Sequence, residues 1–312
     1  MIYKIIAYIT AYNDISGINQ ILHSLHQQTQ KIDQVFIIDN STQPLLNFLE
    51  FKSNIYYEHY ADNIGVAGGL NRALQWAIDN NFDFLWAFDQ DSCPNPDTLE
   101  KLLSDYQLLQ QKGIPVGIIT PTTIDAQTGS ILYNRLNRKY CLQPYSPEQI
   151  PSPFTYYSEK LYQCDVVITS GSLINLKAAK HVPLPNPNLF IDAVDWEYCL
   201  SMRNYGYHIC VSEKTTMQHN FGTYLTHLGK HPIYIYSPLR YYYINRNHTY
   251  IETRLSENFY YKTLSYLRRI KILIRKICKI IIYEPDQKVL KIWASCLGFY
   301  HGLVGKLGKI WT

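Results

Sequence analysis

Phe84-Leu-Trp-Ala-Phe-Asp89-Gln-Asp91-Ser92 is an apolar run that ends in two acidic side chains, one residue apart. Residues 84–88 are apolar without alternation, as expected of a strand buried on both faces of a parallel sheet, and in such sheets ligands bind just beyond the strand C-termini. Asp89 and Asp91 fall at that end. Their hard oxygen donors suit Mg²⁺ or Mn²⁺, and a cation held by one or two carboxylates fills its remaining positions with substrate phosphates and water. Alone, Asp-x-Asp is a common solvated turn; its position after a buried strand argues for a site.

Outward from this stretch, short apolar runs alternate with helix-length segments. Strands are expected near 3–9, 34–39, 54–59, 83–88 and 115–120, with helices near 16–27, 66–79 and 96–111. Such alternation predicts an α/β fold with a mostly parallel sheet and flanking helices. Ser16 is the expected cap of the first helix, and Asn95-Pro96-Asp97 supplies a cap and an N1 proline for the third. Residues 121–160, polar and rich in Tyr and Pro, read as a long excursion from the sheet, after which Asp165-Val-Val-Ile-Thr169 restores strand character.

At 312 residues and 46% apolar content the chain can bury a substantial core. Its seven cysteines form no Cys-x-x-Cys pair, which predicts reduced thiols in a cytosolic compartment, with Cys164, Cys199 and Cys210 in the core. The N-terminal apolar run is too short for a signal peptide. Net charge is only +4, yet residues 258–280 carry Lys262, Arg268, Arg269, Lys271, Arg275, Lys276 and Lys279 without one acidic residue, which points to an anionic surface as partner.

Further polar clusters close the other expected strands. Ile9-Thr10-Ala11-Tyr12-Asn13 follows the first and Ile37-Ile38-Asp39-Asn40-Ser41 closes the second, while Asp62-Asn63-Ile64-Gly65-Val66-Ala67-Gly68-Gly69-Leu70-Asn71-Arg72 opens a helix with small residues. Bare amides at a helix N-terminus accept negative charge, but the spacing is not that of a dinucleotide site and the glycines equally suit close helix–sheet packing. Phe190-Ile-Asp192-Ala-Val-Asp195-Trp-Glu197 begins a helix whose first turn carries carboxylates, which serve as caps or, facing a substrate, as a general base. Thr216-Met-Gln-His219 ends a later strand; its imidazole suits Mn²⁺ or a structural role.

Together these clusters resemble family 2 glycosyltransferases of the GT-A fold, over residues 3 to about 250. The nearer likeness is to bacterial rhamnosyltransferases, carried by Phe88-Asp-Gln-Asp-Ser92, Thr169-Ser-Gly-Ser-Leu-Ile174, Phe190 to Glu197, and Arg240-Tyr-Tyr-Tyr-Ile-Asn-Arg246-Asn247. The resemblance implies donor-nucleotide contacts from Thr10, Tyr12, Asp39, Asn63, Asn71 and Asp89, a metal site of Asp89, Asp91 and His219, and Asp195 as the base. Gly171, Glu197, Arg240 and Arg246 are candidate diphosphate or acceptor contacts. Ser201 replaces a basic residue usual in the subgroup, and Asp62-Asn63 stands where a Gly-Asn type pair is common; both departures bear on the sugar more than on the reaction.

Beyond the catalytic domain, expected over 1–250, residues 251–312 read as a basic amphipathic helical region. Leu264, Leu267, Ile270, Ile274, Ile277 and Ile281 recur at helical spacing, and Val289 to Trp311 repeats the pattern with Gly298, Gly302 and Gly305 at small-residue spacing. The uncharged stretch from Ile292 to Gly305 is shorter than the roughly 20 residues a membrane span needs, so the region is expected to lie on a bilayer or to pack on the domain or an oligomer partner. No nucleic-acid-binding motif accompanies these charges. The expected activity is inverting, metal-dependent transfer of L-rhamnose from dTDP-rhamnose to a lipid-linked surface glycan on the cytoplasmic face of the inner membrane. Rival readings are transfer of galactofuranose or another hexose, a sugar nucleotidyltransferase, and a non-catalytic membrane scaffold.

Overall fold

The computed structural model describes residues 3–49, 54–132, 134–144, 156–220, 222–228 and 231–311. Its first half alternates as the apolar periodicity requires: β1 (Ile5–Ala11), α1 (Ile15–His26), β2 (Gln34–Asp39), β3 (Ile55–His59), α2 (Gly65–Asp79), β4 (Phe84–Asp89), β5 (Ser92–Pro94), α3 (Thr98–Gln111) and β6 (Val116–Asp125). Short strands follow: β7 (Arg135–Asn137), β8 (Leu142–Pro144), β9 (Tyr156–Ser158), β10 (Leu161–Cys164) and β11 (Leu173–Asn175). Then come α4 (Leu176–Ala179), α5 (Val194–Asn204), β12 (His208–His219), β13 (Thr223–Leu228) and β14 (His231–Ile235). The last helices are α6 (Pro238–Glu252), α7 (Phe259–Tyr283) and α8 (Lys288–Val304).

One sheet runs in the order β3-β2-β1-β4-β11-β6-β12-β10-β9, with β5 paired to β12. β3, β2, β1 and β4 are parallel, as are β6 and β12, while β11 and β10 run against their neighbours. From β1 the chain goes to β2 on one side and later to β4 on the other, which opens a crevice at the C-terminal ends of β1 and β4. The register sets Thr10 beside Asp89 across that crevice. Helices cover both faces, which is why the central strands are apolar without alternation. Ile6 and Tyr8 pack with Leu70 and Leu74 of α2, whereas Ile5, Ala7 and Ile9 pack with Ile18 of α1 and Leu99 and Leu102 of α3. Cys164, Cys199 and Cys210 are buried as expected, and all seven cysteines are free thiols.

Local details differ from the sequence reading. α1 is capped by Asp14, whose Oδ1 accepts the Gly17 N–H at 3.0 Å, so Ser16 lies within the first turn. α3 starts at Thr98, whose N–H donates to the Asn95 carbonyl. Residues 165–169 are not a strand: β10 ends at Cys164, and the run meets β7 through a bridge between Val166 and Arg135 and through Asp165, whose N–H donates to the Arg135 carbonyl and whose Oδ2 accepts the Asn137 N–H at 2.9 Å. The excursion over 121–160 contains the tail of β6 and three short strands; its residues 133 and 145–155 lie outside the described residues.

α8 lies against α6, and a Cβ added to Gly298 or Gly302 would sit 2.3 Å from the carbonyl oxygen of Tyr242 or Arg246. Their small-residue spacing is therefore a helix-crossing contact, and Gly305 ends α8 with φ +75. Buried Glu252, at the end of α6, binds Arg268 of α7 at 2.7 Å and accepts the Leu142 N–H of β8 at 3.1 Å. α7 turns Ser265, Arg269 and Ile280 inward and leaves Leu267, Ile270, Ile274 and Ile281 exposed. Among the described residues no helix is long and apolar enough to cross a membrane.

Candidate active site

β4 delivers Asp89 and Asp91 to the crevice, and β12, hydrogen-bonded to β5 at Ser92, brings His219 alongside them. Ligand atoms of the three side chains lie within 4.8 Å of one another, with Asp91 Oδ1 3.2 Å from His219 Nδ1. Ser92 Oγ lies 2.9 Å from the same ring nitrogen and 2.5 Å from Ser170 Oγ, which in turn accepts the Asp89 N–H at 3.1 Å. Asp91 Oδ1 is buried with no hydrogen-bond partner besides its contact with His219. A buried carboxylate oxygen left that way is costly, and this donor set of two carboxylates and one imidazole fits a Mn²⁺ or Mg²⁺ ion. Burial pushes Asp89 up to about 6, with Asp91 adding to the rise and His219 opposing it. Burial lowers the His219 pKa, but the hydrogen bond and charge of Asp91 together with the charges of Asp89 and Asp125 oppose it, and the net shift is upward.

The base candidate depends on an unusual turn. Phe190, Asp192 and Ala193 all adopt positive φ, between 60° and 65°, ahead of α5. Non-glycine residues there cost on the order of 1–3 kcal/mol each and persist only where the surroundings impose them. α6 imposes them: Asn247 Nδ2 donates to the carbonyls of Leu189, Ile191 and Asp192 at 2.8–2.9 Å, and Arg246 Nη2 donates to those of Asn188 and Leu189. Arg240 closes the turn with a paired contact to Asp192 at 2.8 and 3.1 Å. Asp195 follows in the first turn of α5, where burial pushes its carboxyl up to about 7 against the opposing pull of the Trp196 amide and Arg135.

A cleft of about 750 Å³ joins these parts. Of the residues expected at the donor site, Thr10, Tyr12, Asn63 and Asp89 line it; Asp91, Asp195, His219 and Arg240 do too. The others are occupied elsewhere. Asp39 is buried behind the wall, accepting from Ser41 N and Leu45 N at 2.9 Å, and its neighbour Asn40 lines the cleft instead. Asn71 donates to the Pro185 carbonyl, Glu197 accepts the Asn186 N–H, and Arg246 is fully buried among backbone carbonyls and over Tyr243. Gly171 lies under the wall, its N–H on the Ala87 carbonyl and its own carbonyl accepting from Trp86. The amides opening α2 are not bare either: Gly65 N–H donates to Asn63 and Ala67 N–H to the Phe190 carbonyl.

Three features escape sequence reading. Gln90, between the two aspartates, exchanges hydrogen bonds with the Tyr12 backbone at 2.7 and 3.1 Å and so ties the β1 loop to the β4 end. Trp196 and His248 stack at 4.0 Å with 17° between their planes. The guanidinium of Arg135, from the excursion after β6, lies 4.7 Å from the Trp196 ring centroid, and all three residues line the cleft. Nothing local in the sequence marks them, because each comes from a different element.

A nucleotide-sugar cleft of the GT-A type is the class that this sheet, crevice and carboxylate–imidazole cluster define. The model of glycosyl transferase family 2 matches residues 7–181, and the chain belongs to that family and is a glycosyltransferase. It is 27% identical over 248 residues to the dTDP-rhamnosyl transferase RfbF of Shigella flexneri, covering 78% of each chain. In fold it is similar to the S. aureus TarS 1–349 structure in complex with UDP-GlcNAc, with TM-score 0.55 and 16% identity over 93% of this chain and 79% of that one. The structure of GalNAc-T7 with UDP, GalNAc and Mn²⁺ is also similar, with TM-score 0.60 and 13% identity over 97% of this chain and 56% of that one.

Proposed function

We propose that the chain is an inverting, divalent-cation-dependent rhamnosyltransferase that moves L-rhamnose from dTDP-rhamnose to a lipid-linked surface glycan on the cytoplasmic face of the inner membrane. The observation that carries this reading is the presence, in one cleft, of the Asp89–Asp91–His219 cluster and a separate carboxylate, Asp195, held near neutrality. The sugar is inferred from the relative that bears the name dTDP-rhamnosyl transferase.

Asp195 accepts the proton of the acceptor hydroxyl as that oxygen bonds to the anomeric carbon and the carbon–oxygen bond to the diphosphate breaks, so the nucleoside diphosphate leaves with the bonding pair. A pKa near 7 leaves a working fraction ionised at neutral pH while keeping the carboxylate basic. Asp89, Asp91 and His219 would hold a Mn²⁺ or Mg²⁺ ion, which when bound would offset the charge of the leaving diphosphate. Membrane placement is supported by the exposed apolar stripe of α7, with Lys271 beside it. The experiment is a panel of nucleotide sugars titrated in Mn²⁺, followed by transfer to a lipid-linked acceptor. Selective binding and transfer of dTDP-rhamnose is expected; selective use of another donor overturns the sugar assignment.

A further inference from the structure

A second cavity, about 360 Å³, lies between β14 and α7, and Tyr236 lines both it and the active-site cleft. Its apolar walls include Ile233, Ile235, Ile272 and Tyr283. α7 also presents Arg275, Lys276 and Lys279 to it, at helical spacing from Ile272 and Tyr283 and therefore from one face. Among the described residues, no carboxylate forms an ion pair with any of the three. The one acid in the lining, Glu284, is already engaged by Lys291 at 2.5 Å and by the Tyr241 hydroxyl at 2.5 Å. Lys276 lies 5.7 Å from the Tyr241 ring centroid, and burial together with Arg269 pushes its pKa down to about 7. The charge of Asp192 acts on Lys276 without pairing with it, and a basic cluster with no ion-paired carboxylate, walled by isoleucine and tyrosine, is complementary to an anion carried on a hydrocarbon.

We propose that this groove binds the phosphate or diphosphate head of a lipid-linked acceptor, with the start of its hydrocarbon along the apolar walls and its sugar directed past Tyr236 to Asp195. The assignment rests on the lipid-linked acceptor proposed above and names where that lipid is held. It does not involve the Asp89–Asp91–His219 site.

The test is calorimetric titration of the full chain with farnesyl diphosphate in EDTA, so that no cation can draw the diphosphate into the donor site. Inorganic pyrophosphate and farnesol serve as separate probes. Expected is saturable binding of farnesyl diphosphate, at least tenfold tighter than either probe, and at least tenfold weaker in the Arg275→Gln/Lys279→Gln double variant, whose changes fall on exposed side chains. A Lys276→Met variant gives an independent reading and should weaken binding by a similar factor. Absence of binding to the wild-type chain, equal binding by the variants, or pyrophosphate binding as tightly as farnesyl diphosphate would each overturn the proposal. Because no sugar transfer is measured, failure here and failure of the transfer reading are separately visible.

Discussion

Asp195 and Asp91 share a cleft but occupy different surroundings, and each has its own test. Burial, the larger influence on Asp195, raises its pKa to about 7, so the residue is a carboxylate above that pH and a neutral acid below it. A base must be ionised to work; kcat/KM for the acceptor is therefore expected to fall as pH drops through 7, about tenfold per unit, in a pH–rate profile. Asp195→Asn should lower kcat by roughly 10²–10⁴ and abolish that acidic limb while leaving dTDP affinity within about twofold. A variant that keeps the limb would assign the base elsewhere. Asp91, whose buried Oδ1 contacts only His219, is expected to act through a cation. Nucleotide affinity measured in Mn²⁺ should drop in Asp91→Asn to the value the wild type shows in EDTA; full turnover of the wild type in excess chelator would remove the metal from the mechanism.

At the scale of elements, α6 decides the conformation of the turn that carries Asp192 and leads to Asp195. Its Asn247 satisfies three carbonyls of that turn, and α8 fits against it through Gly298 and Gly302. Asn247→Ala removes those bonds without touching the cleft lining. The expected result is a kcat loss of about tenfold or more, with donor affinity little changed and a native circular dichroism spectrum; retained kcat would show that the turn holds its shape unaided. Gly302→Ala places a methyl 2.3 Å from the Arg246 carbonyl and forces the helices apart. Overpacking of this kind costs about 1–3 kcal/mol, to be read in a denaturant midpoint, and a wild-type midpoint would contradict the tight crossing. The sequence showed the small-residue spacing of α8, while the family resemblance made Arg246 a candidate diphosphate or acceptor contact. Its burial depends on Gly308 and Asn188, which are distant in sequence, so no local pattern could reveal it.

For the whole molecule, the proposed attachment to anionic bilayers concerns the outer face of α7 and α8. Cutting the chain before Phe259 would strip α8 from α6 and so cannot test it cleanly. The substitutions Ile270→Ser, Ile274→Ser and Trp293→Ser act on exposed side chains and spare the core. Together they should reduce co-sedimentation with phosphatidylglycerol vesicles at least tenfold, and salt should weaken the wild type, since each basic residue near such a surface contributes about 1 kcal/mol that ions screen. Undiminished sedimentation of the triple variant would assign the exposed stripe to another partner.

The joining of His219 to Asp89 and Asp91 was implied by the family resemblance and comes about through the pairing of β12 with β5; the sequence alone determined the α/β alternation and the end of β4 as a metal-fitting site. Those features follow from local apolar periodicity and from where ligands sit on a parallel sheet. Burial of Asp39 and Arg246, engagement of Asn71 and Glu197 by backbone groups, and the Arg135–Trp196–His248 stack were decided only by tertiary structure. The same holds for which face α7 turns inward: its periodicity reveals two faces, but the choice depends on Glu252 of α6, whose buried charge draws in Arg268 and Arg269 and leaves Ile270, Ile274 and Ile281 outside. A buried charge must find its partner wherever the fold provides one, and a one-dimensional pattern carries no record of that position.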